Sequence, residues 1–459
     1  MAQSSQKVRD LTSGKPLPLI LGFGIPIFGG ILFQQFYNLV DTMIVGRMLG
    51  VKALAAVGST GSINFLIVGF CIGLCNGFAI PIAQRFGAGD YSSLRRYIAN
   101  CVYASAFFAV AVTLFVCILC RNILMWMRTP DDIIEYSASY IFIIFLGIPA
   151  TILYNMASGI IRSFGNSKTP LYFLIFSSIL NIVLDLLLIK PMGVRGAALA
   201  TIISQAVSGV IATAYLKKHY DFLVMTRDEK KADMSYIIKL CTMGVPMGLQ
   251  YSITAIGSVI LQSSVNQLGS DFVASSAAAV KVNIFLYSPL DALGSTMATF
   301  AGQNVGAGKL DRVDEGIKNA VLLGGVYSVI GFIIVLIFGR YFALLFVSRD
   351  ETLIIENIRQ YLLINNSCMF LLALVNIVRF TIQGLGYSGL AIFAGVGEMI
   401  ARALMGFFFV PMFGFAAACF ASPAAWFLAD LFLVPAYLTI MKRLRARFEK
   451  SAGREEDIS

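Results

Sequence analysis

The sequence predicts an all-α polytopic membrane protein with twelve transmembrane helices in two six-helix lobes. Three observations lead there. Of 459 residues, 58% are hydrophobic and only 13% charged, whereas charged residues make up about a quarter of a soluble domain. The apolar residues fall in runs of about twenty or more, the length a helix needs to cross a bilayer. The chain also repeats itself: Gly24-Ile25-Pro26 through Gln84-Arg85-Phe86-Gly87-Ala88-Gly89 returns as Gly244-Val245-Pro246 through Gln303-Asn304-Val305-Gly306-Ala307-Gly308. Within and beyond that stretch Asn64 falls on Asn283, Asn155 on Asn376 and Pro191-Met192 on Pro411-Met412.

The runs cover 16–44, 53–82, 97–120, 133–160, 170–189 and 194–216 in the first half, then 236–262, 272–300, 317–340, 354–383, 389–411 and 414–441 in the second. The lobes are therefore expected at 16–216 and 236–441, joined by a linker at 217–235 and flanked by polar tails at 1–15 and 442–459. An even number of spans returns each half to its starting side, so the halves repeat in parallel orientation about an axis along the membrane normal. With the N-terminus placed inside, 23 of the 35 Lys and Arg lie on that side and nine on the other, the remaining three being Lys281, Arg379 and Arg402 within spans. This is the positive-inside pattern and predicts cytoplasmic termini and linker in a multi-pass prokaryotic cell membrane protein. It also accounts for the net charge of +10 without nucleic acid. A cleavable signal peptide is not expected, because the first apolar run is too long for a signal core.

Along the chain, the first span carries Pro26, which removes a helix hydrogen bond and is a candidate hinge. It then presents Gln34, Asn38 and Asp41 on one helical face, with Tyr37 beside them. The third span ends in Cys117-Ile-Leu-Cys120, a C-x-x-C without a second pair or nearby His, so packing is the reading for all eight cysteines. The fourth holds Asn155. The fifth aligns Ser177, Asn181 and Asp185, and the sixth Thr201, Gln205 and Ser208. Charged and polar groups at bilayer depth usually face an interior pathway, so three polar stripes in one lobe read as a hydrated pocket. The alternative for Asp41 is a helix end near the interface, close to Arg47. The linker, with Arg227-Asp-Glu-Lys-Lys231 and the only histidine, His219, reads as a solvated connection.

The second half differs. Pro246 matches Pro26, but no acid faces Asp41's position in the seventh span, and Asp185 aligns near Gly406. Asp291 in the eighth span and Asp430 in the twelfth are candidates for substrate contact, with helix-to-helix hydrogen bonding as the alternative. Glu398–Arg402, four apart in the eleventh, reads as a self-neutralised pair. No metal cluster, catalytic triad or phosphate-binding glycine loop is recognisable, so neither an enzyme nor an ATP-driven pump is expected, and no cofactor.

Val40-Asp41-Thr-Met-Ile-Val-Gly46, Ala53-Leu-Ala-Ala-Val-Gly58, Pro81-Ile-Ala-Gln84 and Gly87-Ala-Gly-Asp90 resemble the multidrug and toxic compound extrusion (MATE) family. So do Gly159-Ile-Ile-Arg162, Gly165-Asn-Ser-Lys-Thr-Pro170, Asn181-Ile-Val-Leu-Asp185 and Gly193-Val-Arg-Gly196-Ala-Ala-Leu-Ala-Thr201. The resemblance covers nearly the whole chain. It implies a V-shaped central cleft and export of amphipathic, mainly cationic, drugs or metabolites in exchange for H⁺ or Na⁺ by alternating access. In the family's DinF-like branch the coupling cation is assigned to residues matching Gln34, Asp41, Asn181, Asp185 and Thr201, with bending at the proline matching Pro26. The NorM-like branch uses carboxylates of the seventh and tenth spans; here the seventh has none and the tenth only Glu356 at its start, which favours first-lobe coupling. Tyr37, Asn38, Asn155, Asp291 and Asp430 are the candidate substrate contacts. Asp41, Asn181 and Asp185 could alternatively furnish oxygen ligands for Na⁺. The expected partners are small organic molecules and the bilayer, with the protein a monomer. A lipid-linked precursor flippase of the same superfamily is the alternative; it would call for a cationic cavity, whereas this stripe is acidic.

Overall fold

The computed structural model describes residues 10–127 and 129–456, leaving out the side chains of Val51 and residues 451–456. Lys7 and Arg9 of the expected N-terminal tail, and the last three residues of the C-terminal one, lie outside the described residues. Among the described residues the protein is helical without strands. That is what a bilayer demands, since only a helix or a closed barrel satisfies every backbone N–H and C=O internally.

The first half runs through α1 (Pro16–Leu49), α2 (Val51–Ser59), α3 (Gly61–Gly87), α4 (Tyr91–Trp126), α5 (Ile134–Leu146), α6 (Ile148–Ser163), α7 (Lys168–Met192) and α8 (Val194–His219). The second runs through α9 (Met234–Asn266), α10 (Ser270–Gly306), α11 (Leu310–Ala343), α12 (Thr352–Ser367), α13 (Met369–Gly384), α14 (Ser388–Leu404), α15 (Val410–Phe413) and α16 (Phe415–Glu456). Among the described residues ten unbroken segments are long and apolar enough to cross a membrane, one of them running from α14 through α15. Two more spans are broken: α5 and α6 meet at 45°, and α12 and α13 at 49°. Counting each pair once gives the twelve that the apolar runs predict, with the fourth span of both halves bent. In the first half the cause is Pro149, at the start of α6, which lacks an N–H for the helix before it. The second span departs from its predicted single run: the Thr60 hydroxyl bonds back to the Val57 carbonyl (2.7 Å) and separates α2 from α3. A five-residue π turn, Met405–Phe409, joins α14 to α15. The expected C-terminal tail from 442 is largely the continuation of α16.

The chain packs as two compact units: Ile25–Ser252, and Leu11–Gly24 together with the chain from Ile253 onward. By this packing α1 and α9 are each divided between the units. Close fits explain both assignments. A Cβ at Gly24 would stand 3.0 Å from the Thr296 hydroxyl of α10. Upstream of α1, Arg312 donates to the carbonyls of Leu11 (3.3 Å) and Gly14 (2.8 Å), and Gln303 accepts from the Leu11 N–H at 3.0 Å. In the first unit, α9 crosses α3 at Gly73 and Gly77, facing Gly244 and Gly248. A Cβ on Gly77 would lie 2.5 Å from the Gly244 Cα, and one on Gly73 2.5 Å from the Met247 carbonyl oxygen. Small residues four apart let two backbones approach where no hydrophobic driving force exists between helices.

The linker's Arg227, Asp228, Lys230 and Lys231 are exposed, as its composition predicts, but Glu229 is buried and docks the segment. Arg95 of α4 grips Glu229 through Nη2–Oε1 (2.6 Å) and Nε–Oε2 (2.9 Å), and donates to the Phe222 carbonyl (3.2 Å). Tyr220 and Phe222 join an aromatic cluster with Phe86, Tyr91 and Phe164. His219 stacks on Tyr215. Arg95, together with the Thr226 N–H, holds the Glu229 carboxyl well below its ordinary 4.5, at about 2. A lowered folded-state value means the docking is fully stabilised above pH 4.5 and loses that contribution as pH falls from 4.5 toward 2. Limited proteolysis of the linker should therefore accelerate across that window in the wild type. In Glu229→Gln it should already be fast at pH 7 and insensitive to the same acidification.

Candidate functional site

The first unit brings together the polar residues of the fourth to sixth spans and the second half of α1. Gly29 and Gly30 of α1 pack on Leu171 and Leu174 of α7, which runs the two helices side by side toward Asp41 and Asp185. Asp185 is fully buried and Asp41 partly so. Their carboxyl groups stand within side-chain hydrogen-bonding reach of each other. No N–H or O–H of the described residues reaches Oδ1 of Asp41 or either oxygen of Asp185. An ionised carboxylate is an acceptor only, so two such groups in contact repel unless a proton or another cation lies between them.

Asn181, one turn before Asp185, is 1% exposed and donates to Thr201 Oγ1 across 3.4 Å, while its Oδ1 is left without a donor. Thr201 in turn donates to the Ala197 carbonyl. The site thus offers four donorless oxygens from three side chains: Asp41 Oδ1, Asn181 Oδ1 and both Asp185 oxygens. Tyr37 sits beside both acids, and Tyr140 of α5 faces the same pair. The sequence reading missed Tyr140. A tyrosine within the apolar fourth run was its only signal.

The remaining expected residues are placed differently. Gln34 and Asn38 are exposed on α1, and the Asn38 carbonyl accepts from the Thr42 hydroxyl (2.8 Å). Asn155 turns back to the Thr151 carbonyl (2.8 Å), and the Thr151 hydroxyl donates to Gln205 Oε1 at 2.6 Å. Pro26 lies inside α1, two residues past the point where that helix changes unit.

In the second unit Asp291 is exposed and accepts from Asn376 Nδ2 at 2.8 Å. Asp430 is buried at 7% exposure. The pair read as Glu398–Arg402 alone is larger: Glu398 accepts from Arg402 through Oε2 (3.3 Å) and from Arg379 of α13 through Oε1. At the position aligned with Asp185, Gly406 of the π turn lies against Ser264 of α9, whose Oγ would be 2.7 Å from an added Cβ. A close helix approach stands where the first unit has its acid.

Twelve apolar spans and an internal repeat of parallel halves, with a carboxyl pair inside the first, are the features of a membrane transporter built from parallel repeats. The MatE family model matches residues 26–187 and again 246–408, one copy to each half. The chain belongs to the MatE family, and it is a membrane transporter of that family. It is 31% identical over 344 residues to the probable multidrug resistance protein YoeA of Bacillus subtilis, covering 73% of this chain and 74% of that one. YpnP of the same organism, also named a probable multidrug resistance protein, is 31% identical over 349 residues, covering 75% and 78%. Among solved structures, an outward-facing multidrug resistance MATE family transporter superposes with TM-score 0.87 at 20% identity, over 96% of this chain and 99% of that one. This last likeness fixes the two-lobe, twelve-helix fold.

Proposed function

We propose that the protein is a secondary active efflux antiporter of the DinF-like branch, exporting amphipathic organic cations in exchange for protons taken up at Asp41 and Asp185. The observation that carries this reading is the carboxyl pair itself. A fully buried acid in contact with a half-buried one, with no donor among the described residues on three of their four oxygens, is stable when the two share a proton and unstable when both are ionised. Proton uptake and release at such a pair is the elementary event of coupling. The 31%-identical relatives, both named probable multidrug resistance proteins, support drug export, and the acidic character of the pair suits cations over the pyrophosphate of a lipid-linked precursor.

A second reading has its own support. The four donorless oxygens could together ligate one Na⁺, a hard cation that takes oxygen ligands. Proteoliposomes separate the two. With an imposed pH step and no sodium, wild-type protein should accumulate a cationic dye, and an imposed Na⁺ step at constant pH should do nothing. Accumulation driven by Na⁺ alone would transfer the site to the second reading.

The asymmetry of 23 basic residues against nine supports cytoplasmic termini and a cytoplasmic linker. A single cysteine introduced at exposed Lys230, in a cysteine-free background, should resist a membrane-impermeant maleimide on intact cells and react after permeabilisation. Rapid labelling from outside would invert the topology.

A further inference from the structure

The second unit holds a buried charge cluster that coupling through Asp41 and Asp185 does not use. Arg379 (α13), Glu398 and Arg402 (α14) and Asp430 (α16) are all at least nine-tenths buried, and α13, α14 and α16 pack on one another. Glu398 is satisfied by a guanidinium N–H on each oxygen. Asp430 is not: neither of its oxygens is reached by any donor among the described residues. Yet spare donors stand in the cluster, since Arg379 Nε and Arg402 Nη1 are likewise without partners, and Arg379 and Glu398 are the charges that act on Asp430. From α11, Asp311 and Asp314 pair with Arg445, 15 residues along α16 from Asp430, and Asp314 also accepts from Tyr437. From α12, Tyr361 faces Arg402, while the π turn and α15 contain no ionisable residue.

Two requirements oppose each other here. Charge neutrality among two arginines and two acids asks for an ionised Asp430, because a net buried charge is costly. Hydrogen bonding asks for a protonated one, because a buried carboxylate without donors is also costly. The conflict resolves if Asp430 exchanges a proton with water and, on losing it, captures Arg379 Nε–H or Arg402 Nη1–H. We infer that Asp430 is a proton-binding residue of the second unit, poised against the Arg379–Glu398–Arg402 triad and separate from the Asp41–Asp185 pair. The inference concerns proton binding itself and stands whether or not the transport reading does.

The chain supplies a reporter. Trp426 lies one turn before Asp430 on α16, edge-to-face with Tyr287 at 5.7 Å. The second of the two tryptophans, Trp126, is exposed at the end of α4. In purified full-length Trp126→Phe protein, Trp426 fluorescence should change with pH through a single midpoint. Asp430→Asn should remove that change, and Asp41→Asn should leave it. Persistence in Asp430→Asn, or loss in Asp41→Asn, would overturn the assignment. Should Asp430→Asn fail to fold, Glu398→Gln decides. It withdraws a neighbouring negative charge and frees both guanidiniums for Asp430, so the midpoint should move to lower pH by about one unit or more. An unmoved midpoint would leave Asp430 structural only.

Discussion

Asp185→Asn is expected to collapse substrate accumulation to near unity while the protein still folds and inserts. The amide keeps the volume of the carboxyl and part of its hydrogen-bonding capacity, but it cannot exchange a proton. One-for-one exchange of a monovalent cation for a proton moves no net charge, so the pH step alone drives it, at about 1.4 kcal/mol or one decade of gradient per pH unit. That whole factor is at stake, because Asp185 is fully buried with Asp41 as its charged neighbour. Asp41→Asn should behave alike, since the contact requires both partners. The measurement is dye accumulation in proteoliposomes after a pH step. Wild-type gradients in Asp185→Asn would remove that residue from coupling.

The second large effect concerns assembly. Gly77→Ala should lower the midpoint of thermal unfolding in detergent by several degrees, and Gly77→Leu should leave little folded protein. The added Cβ meets Gly244 Cα at 2.5 Å and the Met243 carbonyl oxygen at 2.6 Å, both backbone atoms with no rotamer to retreat into. Overpacking of this kind costs about 1–3 kcal/mol and sometimes more. Gly58→Ala is the matched control, because nothing lies within 4 Å of its added Cβ. If the two alanine variants melt together, the helices do not cross as closely as described.

Much of the architecture is legible in the sequence because a bilayer leaves the chain few options. Apolar run lengths give the spans, and Gly-x-x-x-Gly spacing is consistent with the close crossing. The breaks are less legible. Pro149 announces the bend between α5 and α6, but the matching bend at Cys368 has no proline, and its apolar run reads as continuous. At the candidate site, helical spacing places Asn181 and Asp185 on one face. It cannot show that Asp41 from another helix meets them, nor that Tyr140 joins from a third. The second unit shows the same limit. Glu398 and Arg402 are visible as neighbours on one helix, whereas Arg379 and Asp430 enter from helices distant in sequence. The linker misleads at one residue: its charges suggest solvent, but Glu229 is buried against the partly exposed Arg95.

The proposed hinge at Pro26 would make the rest of α1 a lever arm. The helix's first residues, through Gly24, are fastened to one body, and everything from Ile25 on belongs to the other. Asp41 lies 15 residues beyond Pro26, or roughly 22 Å at a helix rise of about 1.5 Å per residue. A change of about 10° in axis direction at the proline would then carry the carboxyl by nearly 4 Å, more than the length of a hydrogen bond. On the proposed coupling, a small bend at Pro26 would thus be magnified at the far end into making or breaking contact with Asp185, and Pro26→Ala should weaken coupling while leaving the carboxyl pair in place.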